Sequence, residues 1–138
     1  MKMFNKFMVL SFSVVVCAGS ALHADEKDYM TLLNVPVVTE KLSDARSADI
    51  LRKKCDGVSA RLLYAYSEAQ KLKKHVVSLG YSKDDVDLFL KSKDAKKVIY
   101  SKADKKLESL GLAENGACDL ASQQIQNKTY IGSFLRQP

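Results

Sequence analysis

VSARLLYAYSEAQKLKKHVVSLG, residues 58–80, carries the strongest periodic signal in the chain. Val58, Leu62, Ala65, Ala69, Leu72, Val76 and Leu79 recur at alternating spacings of four and three. A helix brings such positions onto one face. Leu63, Tyr66 and Val77 widen the stripe. The stretch therefore predicts a long amphipathic helix from about Ser59 to Leu79, ended by Gly80, a residue suited to the left-handed backbone that closes many helices. The stripe is wider than a coiled-coil seam and contains alanines, which places the helix at the centre of a bundle.

Working outward, Val38, Leu42, Ala45, Ala48, Leu51 and Cys55 form a second helical face, with Thr39 as its expected N-cap. Arg52, Lys53 and Lys54 suit the negative end of that helix, and Asp56-Gly57 breaks it. Before it, Asp25–Val38 reads as an extended arm, with a short helix at Tyr29–Leu33 as an alternative; Pro36 turns Val35 away from helix. After the long helix, Ser82 and Asp85 form a capping-box pattern that opens a short helix with Val86, Phe89 and Leu90 inward. Asp94 can cap the next, whose inner stripe is Ala95, Ile99, Ala103, Leu107 and Leu110. Asn115-Gly116 marks a turn, and Ala117 to Asn127 is the last helix, with Cys118, Ala121 and Ile125 inward. Tyr130, Ile131, Phe134 and Leu135 make an apolar tail that should dock. No segment alternates with period two, so no sheet is expected. The fold class is all-α: a small bundle of four to five helices around a long central helix, occupying 39–138 behind an arm at 25–38.

Residues 1–24 read as a cleaved secretory signal peptide. Lys2 and Lys6 precede an apolar run from Phe7 to Ala18, and Ala24 is the expected last residue before Asp25. The run is too short to span a bilayer, and Val14-Val15-Val16 before Cys17 is a poor lipidation site. Cleavage leaves 114 residues, enough for one modest core, with 20 basic and 16 acidic side chains. It also removes Cys17 and leaves Cys55 and Cys118. Two thiols in an oxidising compartment have one intrachain pairing, so a Cys55–Cys118 disulfide is expected. A redox pair or metal thiolates would call for CxxC spacing or a nearby histidine, and neither is present.

Catalytic and ligand motifs are sparse. His75 is the single histidine after residue 24 and stands among lysines, without a nucleophile–acid motif around it. Asp84, Asp85 and Asp87 lead into the apolar Leu88-Phe89-Leu90, which fits helix capping better than a calcium loop. The glycines are isolated, and no cofactor or metal is implied. The lysines of Lys71–Lys106, among them Lys102, Lys105 and Lys106, read as a solvated face. Few arginines and an exported location argue against nucleic acid as partner.

Cys55-Asp56-Gly57-Val58-Ser59-Ala60-Arg61, then Gly80-Tyr81-Ser82 with Phe89, the late Cys118 and the ending Ile131-Gly132-Ser133-Phe134-Leu135-Arg136 together resemble a small family of exported alphaproteobacterial proteins, the DUF5333-like domains of unknown function. The resemblance spans about Val38 to Arg136. It implies a periplasmic helical domain and carries no activity. It singles out Arg61 and Arg136 as candidate interaction residues, Arg61 having pairing with Asp49 or Asp56 as its structural alternative. The expected function is a periplasmic, monomeric binding or accessory protein without catalysis. It acts on an unknown protein or envelope component, received beside the 59–79 helix or at the C-terminal tail, without nucleic acid or stable membrane insertion. Two other readings are a periplasmic stress chaperone, by fold-level analogy, and an enzyme using His75.

Overall fold

The computed structural model describes residues 28–138; the signal segment expected at 1–24 lies outside the described residues. The arm contains a 3-10 helix, Tyr29–Asn34, capped by the Asp28 carboxylate, which accepts from the Met30 amide at 2.9 Å. Pro36 holds Val35 extended at φ −93° and ψ 105° and begins helix α1, Pro36–Lys54. A proline costs nothing in the first turn, where its missing N–H has no partner to lose. The helix thus starts earlier than Thr39, which is buried inside it and donates its hydroxyl to the Pro36 carbonyl at 3.1 Å, so Thr39 is not the N-cap.

Five further helices follow: α2 Leu62–Ser78, α3 Lys83–Lys91, α4 Lys93–Ser109, α5 Leu112–Gln126 and the single turn α6 Tyr130–Ser133. Gly116, at φ 77° and ψ 164°, bends α5 where the turn was expected, and the residues before it coil into helix rather than loop. Two short strands, β1 Ser59–Ala60 and β2 Leu135–Arg136, pair antiparallel with Ser59 opposite Arg136 and Ala60 opposite Leu135. The expectation of no sheet is corrected by this small ladder, which is too short to leave an alternating pattern in sequence. The Ser82–Asp85 capping box forms in full: the Ser82 hydroxyl accepts from the Asp85 amide at 3.0 Å, and Asp85 accepts from the Ser82 amide at 2.7 Å. Ser92, not Asp94, caps α4, its hydroxyl accepting from the Ala95 amide at 3.2 Å.

The all-α bundle does have a long central helix, but it is α1 rather than α2. Val38, Ala48, Ile50 and Leu51 of α1 are buried among apolar neighbours, and so are Thr39, Ser43 and Ser47 on a second face. That second face meets α4, where Ala103 is fully buried and Ile99 and Leu107 nearly so. Ser47 satisfies its hydroxyl within α1, donating to the Ser43 carbonyl at 2.9 Å. Small serines there let the two helices approach. Lys102 and Lys106 of α4 cross to α1: Lys102 reaches Glu40 at 2.6 Å, and Lys106 pairs with Glu40 at 3.0 Å and with Asp44. The lysine face is therefore part of the helix contact at these two positions, while Lys105 is exposed. By contrast, α2 buries only Glu68 and Val76.

The disulfide joins Cys55, just after α1, to Cys118 on α5, with a Cα–Cα distance of 5.1 Å. Cys55 is buried and Cys118 is exposed rather than inward. Around the bridge lies one apolar cluster that includes Leu51, Leu107, Leu120, Ile131, Phe134 and Leu135, so the C-terminal tail docks as expected. A second cluster gathers Leu32, Val38, Val76, Tyr81, Val86, Phe89 and Ala95 at the other end of α1. Leu90, expected inward on α3, is exposed, and Val86 and Phe89 carry that helix's packing. Among the described residues, no helix is long and apolar enough to cross a membrane.

Candidate functional site

The stripe that defines α2 in sequence does face α1, but the two helices do not close on each other. Between them lies a groove of about 740 Å³. Leu42, Ala45 and Ala48 of α1 form one wall and Leu62, Ala65, Ala69 and Leu72 of α2 the other. Phe134 and Leu135 line it from the C-terminal tail. On the groove, Leu62 is 75% exposed; on the same helix, outside the groove lining, Leu63 is 89% and Tyr66 67% exposed. These are large apolar side chains at a place where the sequence pattern predicts burial. Singly, exposed leucines are ordinary; a contiguous apolar surface bordering a groove marks a place of contact.

α2 is held at both ends and once midway, with the groove open beside it. At its start, the Arg61 amide donates to the Phe134 carbonyl at 2.8 Å, extending the β ladder. Tyr64 and Tyr130 each pack edge-on against Phe134, with ring centroids 5.3 and 5.1 Å apart. At its far end, Val76 enters the second apolar cluster and Lys73 pairs with Asp87 at 3.1 Å. Midway, Glu68 is buried in the groove wall. It accepts from Lys41 at 3.2 Å, from the Tyr130 hydroxyl at 2.9 Å and from Lys71 at 2.8 Å. The Lys71 bond first, then those from Tyr130 and Lys41, outweigh burial and hold the Glu68 carboxyl down at about 2. Burial, then donation to Glu68, pushes the Tyr130 phenol above its ordinary range. This network joins α1, α2 and α6, and sequence spacing did not reveal it.

The structure brings Arg61 and Arg136 to the same ladder. The Arg136 Nε donates to the Ser59 hydroxyl at 3.0 Å, and Arg136 lines the groove. An Arg61 Nη donates to the Ser133 carbonyl at 3.2 Å, with the guanidinium over the Tyr64 ring at 5.1 Å. Both arginines are exposed, and neither has a carboxylate partner among the described residues, so Arg61 does not pair with Asp49 or Asp56. Asp49 instead takes Arg46 at 3.0 Å, Arg52 at 2.5 Å and Lys53 at 2.7 Å. Burial raises the Asp49 carboxyl, and the bonds from Lys53 and Arg52 prevail to keep it below its usual range. His75 is exposed on α2 and is not among the residues lining the groove. Among the described residues, no group of three or more His, Cys, Asp or Glu side chains is arranged to hold a metal ion.

Fold and site together define a disulfide-stapled helical domain with an apolar groove along its outermost long helix. A family model covers residues 30–136, and the chain belongs to that family, DUF5333, a family of unknown function. No curated protein matches the chain, and no solved structure does.

Proposed function

We propose that this protein is an exported, periplasmic binding or accessory protein, acting without catalysis, whose α1–α2 groove receives a partner. The observation that carries the reading is the groove itself, walled by Leu42, Ala45, Ala65 and Leu72, with Leu62 75% exposed along it. Covering a large apolar side chain gains about 1.5–3 kcal/mol, so leaving Leu62 bare in an apolar groove is costly unless a partner covers it. The pattern at 1–24 and the Cys55–Cys118 bridge support an oxidising, exported setting. The enzymatic alternative finds little support, since His75 stands apart from the groove.

The test is capture of envelope proteins from the native host on the immobilised mature chain. Leu62→Glu and Ala69→Trp are the controls, the first altering the lip and the second filling the groove. Both positions are exposed, so helicity and melting temperature should be retained. A partner held by the parent chain and lost by both variants is the expected result. Equal recovery on all three proteins excludes the groove as the docking site.

A further inference from the structure

We infer that a second cavity, at the ladder beside the groove, binds the phosphate group of a monoester whose body is apolar. The cavity measures about 360 Å³ and is lined by Ala60, Arg61, Leu62, Leu63, Tyr64 and Arg136. Ala60, Leu62 and Arg136 also border the groove, whereas Asp49, Asp56 and Glu68 line the groove alone. The wall of the second cavity thus holds two guanidinium groups and no carboxylate.

The ladder makes the two arginines neighbours. Ser59 stands opposite Arg136, and the Arg61 amide continues the pairing to the Phe134 carbonyl at 2.8 Å. Side chains two residues apart on a strand leave the same face, so Arg61 and Arg136 are diagonal neighbours on one face. Like charges so placed repel. Neither guanidinium has a carboxylate partner among the described residues, and an anion held between them removes the repulsion. Each group is also tethered in a way that leaves a fork of donors. The Arg61 Nη1 donates to the Ser133 carbonyl at 3.2 Å, with the Tyr64 ring 5.1 Å from the guanidinium carbon. Its Nε and Nη2 remain as a side-on fork. The Arg136 Nε donates to the Ser59 hydroxyl at 3.0 Å, which leaves its two Nη groups as an end-on fork. Such forks match the paired oxygens of carboxylates and phosphates. A phosphate monoester brings about 1.5–2 negative charges and three acceptor oxygens to the pair, more than a carboxylate does. The rest of the wall is apolar. Leu62 and Leu63 lie along it largely exposed, and the apolar body of the ligand would cover them.

Calorimetric titration of the mature protein with phenyl phosphate, inorganic phosphate and benzoate tests the site, with co-sedimentation on vesicles containing phosphatidic acid as a further arm. The expected result is saturable binding of phenyl phosphate, tighter than that of the other two anions and weakened by salt. It should fall about tenfold in Arg61→Gln and in Arg136→Gln, and Arg61→Lys, which keeps the charge but not the fork, should also weaken it. Both arginines are exposed, so the fold should persist in each variant. Ala69→Trp alters the groove wall alone and should bind as the parent does. Vesicle binding that requires both arginines supports the site and makes its source a lipid headgroup; binding of phenyl phosphate without the vesicles supports it as a site for a soluble ester. Inorganic phosphate binding as tightly as phenyl phosphate overturns the apolar part of the assignment, and benzoate doing so overturns the phosphate. Binding lost in Ala69→Trp but kept in the arginine variants would put the anion in the groove and overturn the site. Absence of saturable binding, or equal binding in both arginine variants, overturns the inference outright, while the capture experiment decides the groove separately.

Discussion

Gly132 sits where α6 meets the end of α5. A Cβ placed there would stand 2.0 Å from the Gln124 carbonyl oxygen, a backbone atom that cannot swing aside. Gly132→Ala is therefore expected to lose about 1–3 kcal/mol, seen as a lower melting temperature with secondary structure retained. An unchanged melting temperature would show that α6 shifts freely. In sequence Gly132 reads only as an isolated breaker, because the atom that excludes a side chain comes from another element. Glu68 is hidden for the same reason. Its partners Lys41 and Tyr130 lie 27 and 62 residues away, and only the fold assembles them. Its carboxyl is held at about 2 in the folded protein against an ordinary 4.5. The stabilisation from Glu68 is thus complete above pH 4.5 and lost as pH falls through that value toward 2. Glu68→Gln should flatten this part of the stability–pH curve, measured as urea midpoints across the acid range. A slope as steep as that of the parent protein would assign the acid sensitivity to other carboxylates.

Helix α1 shows how an element's place in a bundle can escape its sequence pattern. Its inner stripe was legible, yet so was that of α2, and α2 had the cleaner period. What separates them is the second face of α1, where Thr39, Ser43 and Ser47 are buried against α4. Those residues look polar and therefore outward, but their hydroxyls bond to α1 carbonyls and their small size admits α4. An element buried on two sides has a weaker apparent amphipathicity than one buried on a single side. The apolar stripe of α2 instead marks the wall of the groove, so the pattern gave the helix and its inner face but not whether that face would be covered. Residue 47 separates size from chemistry. Ser47→Ala keeps the volume and should cost no more than about 1 kcal/mol, since the hydroxyl bonds a carbonyl already within the helix. Ser47→Leu adds bulk against Ala103 and should cost about 1–3 kcal/mol. Chemical denaturation of the two variants checks the order, and a larger loss for alanine than for leucine would mean the hydroxyl matters more than the close approach.

At the scale of the whole molecule, the bridge was legible from the cysteines once Cys17 was set aside with the segment at 1–24, whereas the division of the core into two clusters was not. Ala48, Ile50 and Leu51 of α1 belong to the cluster around the bridge, and Val38 of the same helix belongs to the other. The disulfide lies in the first cluster only, yet a continuous helix runs through both. Closing a loop across a separation of 63 residues restricts the unfolded chain by roughly 4 kcal/mol in the chain-entropy account. That is a large share of the 5–15 kcal/mol typical of a domain. The Cys55→Ser/Cys118→Ser protein should lose about 2–4 kcal/mol and still unfold in one transition. If α1 couples the clusters, hydrogen exchange should quicken by similar factors at the Leu120 amide beside the bridge and at the Phe89 amide in the other cluster. Loss of protection at Leu120 alone would mean that the clusters open as separate units.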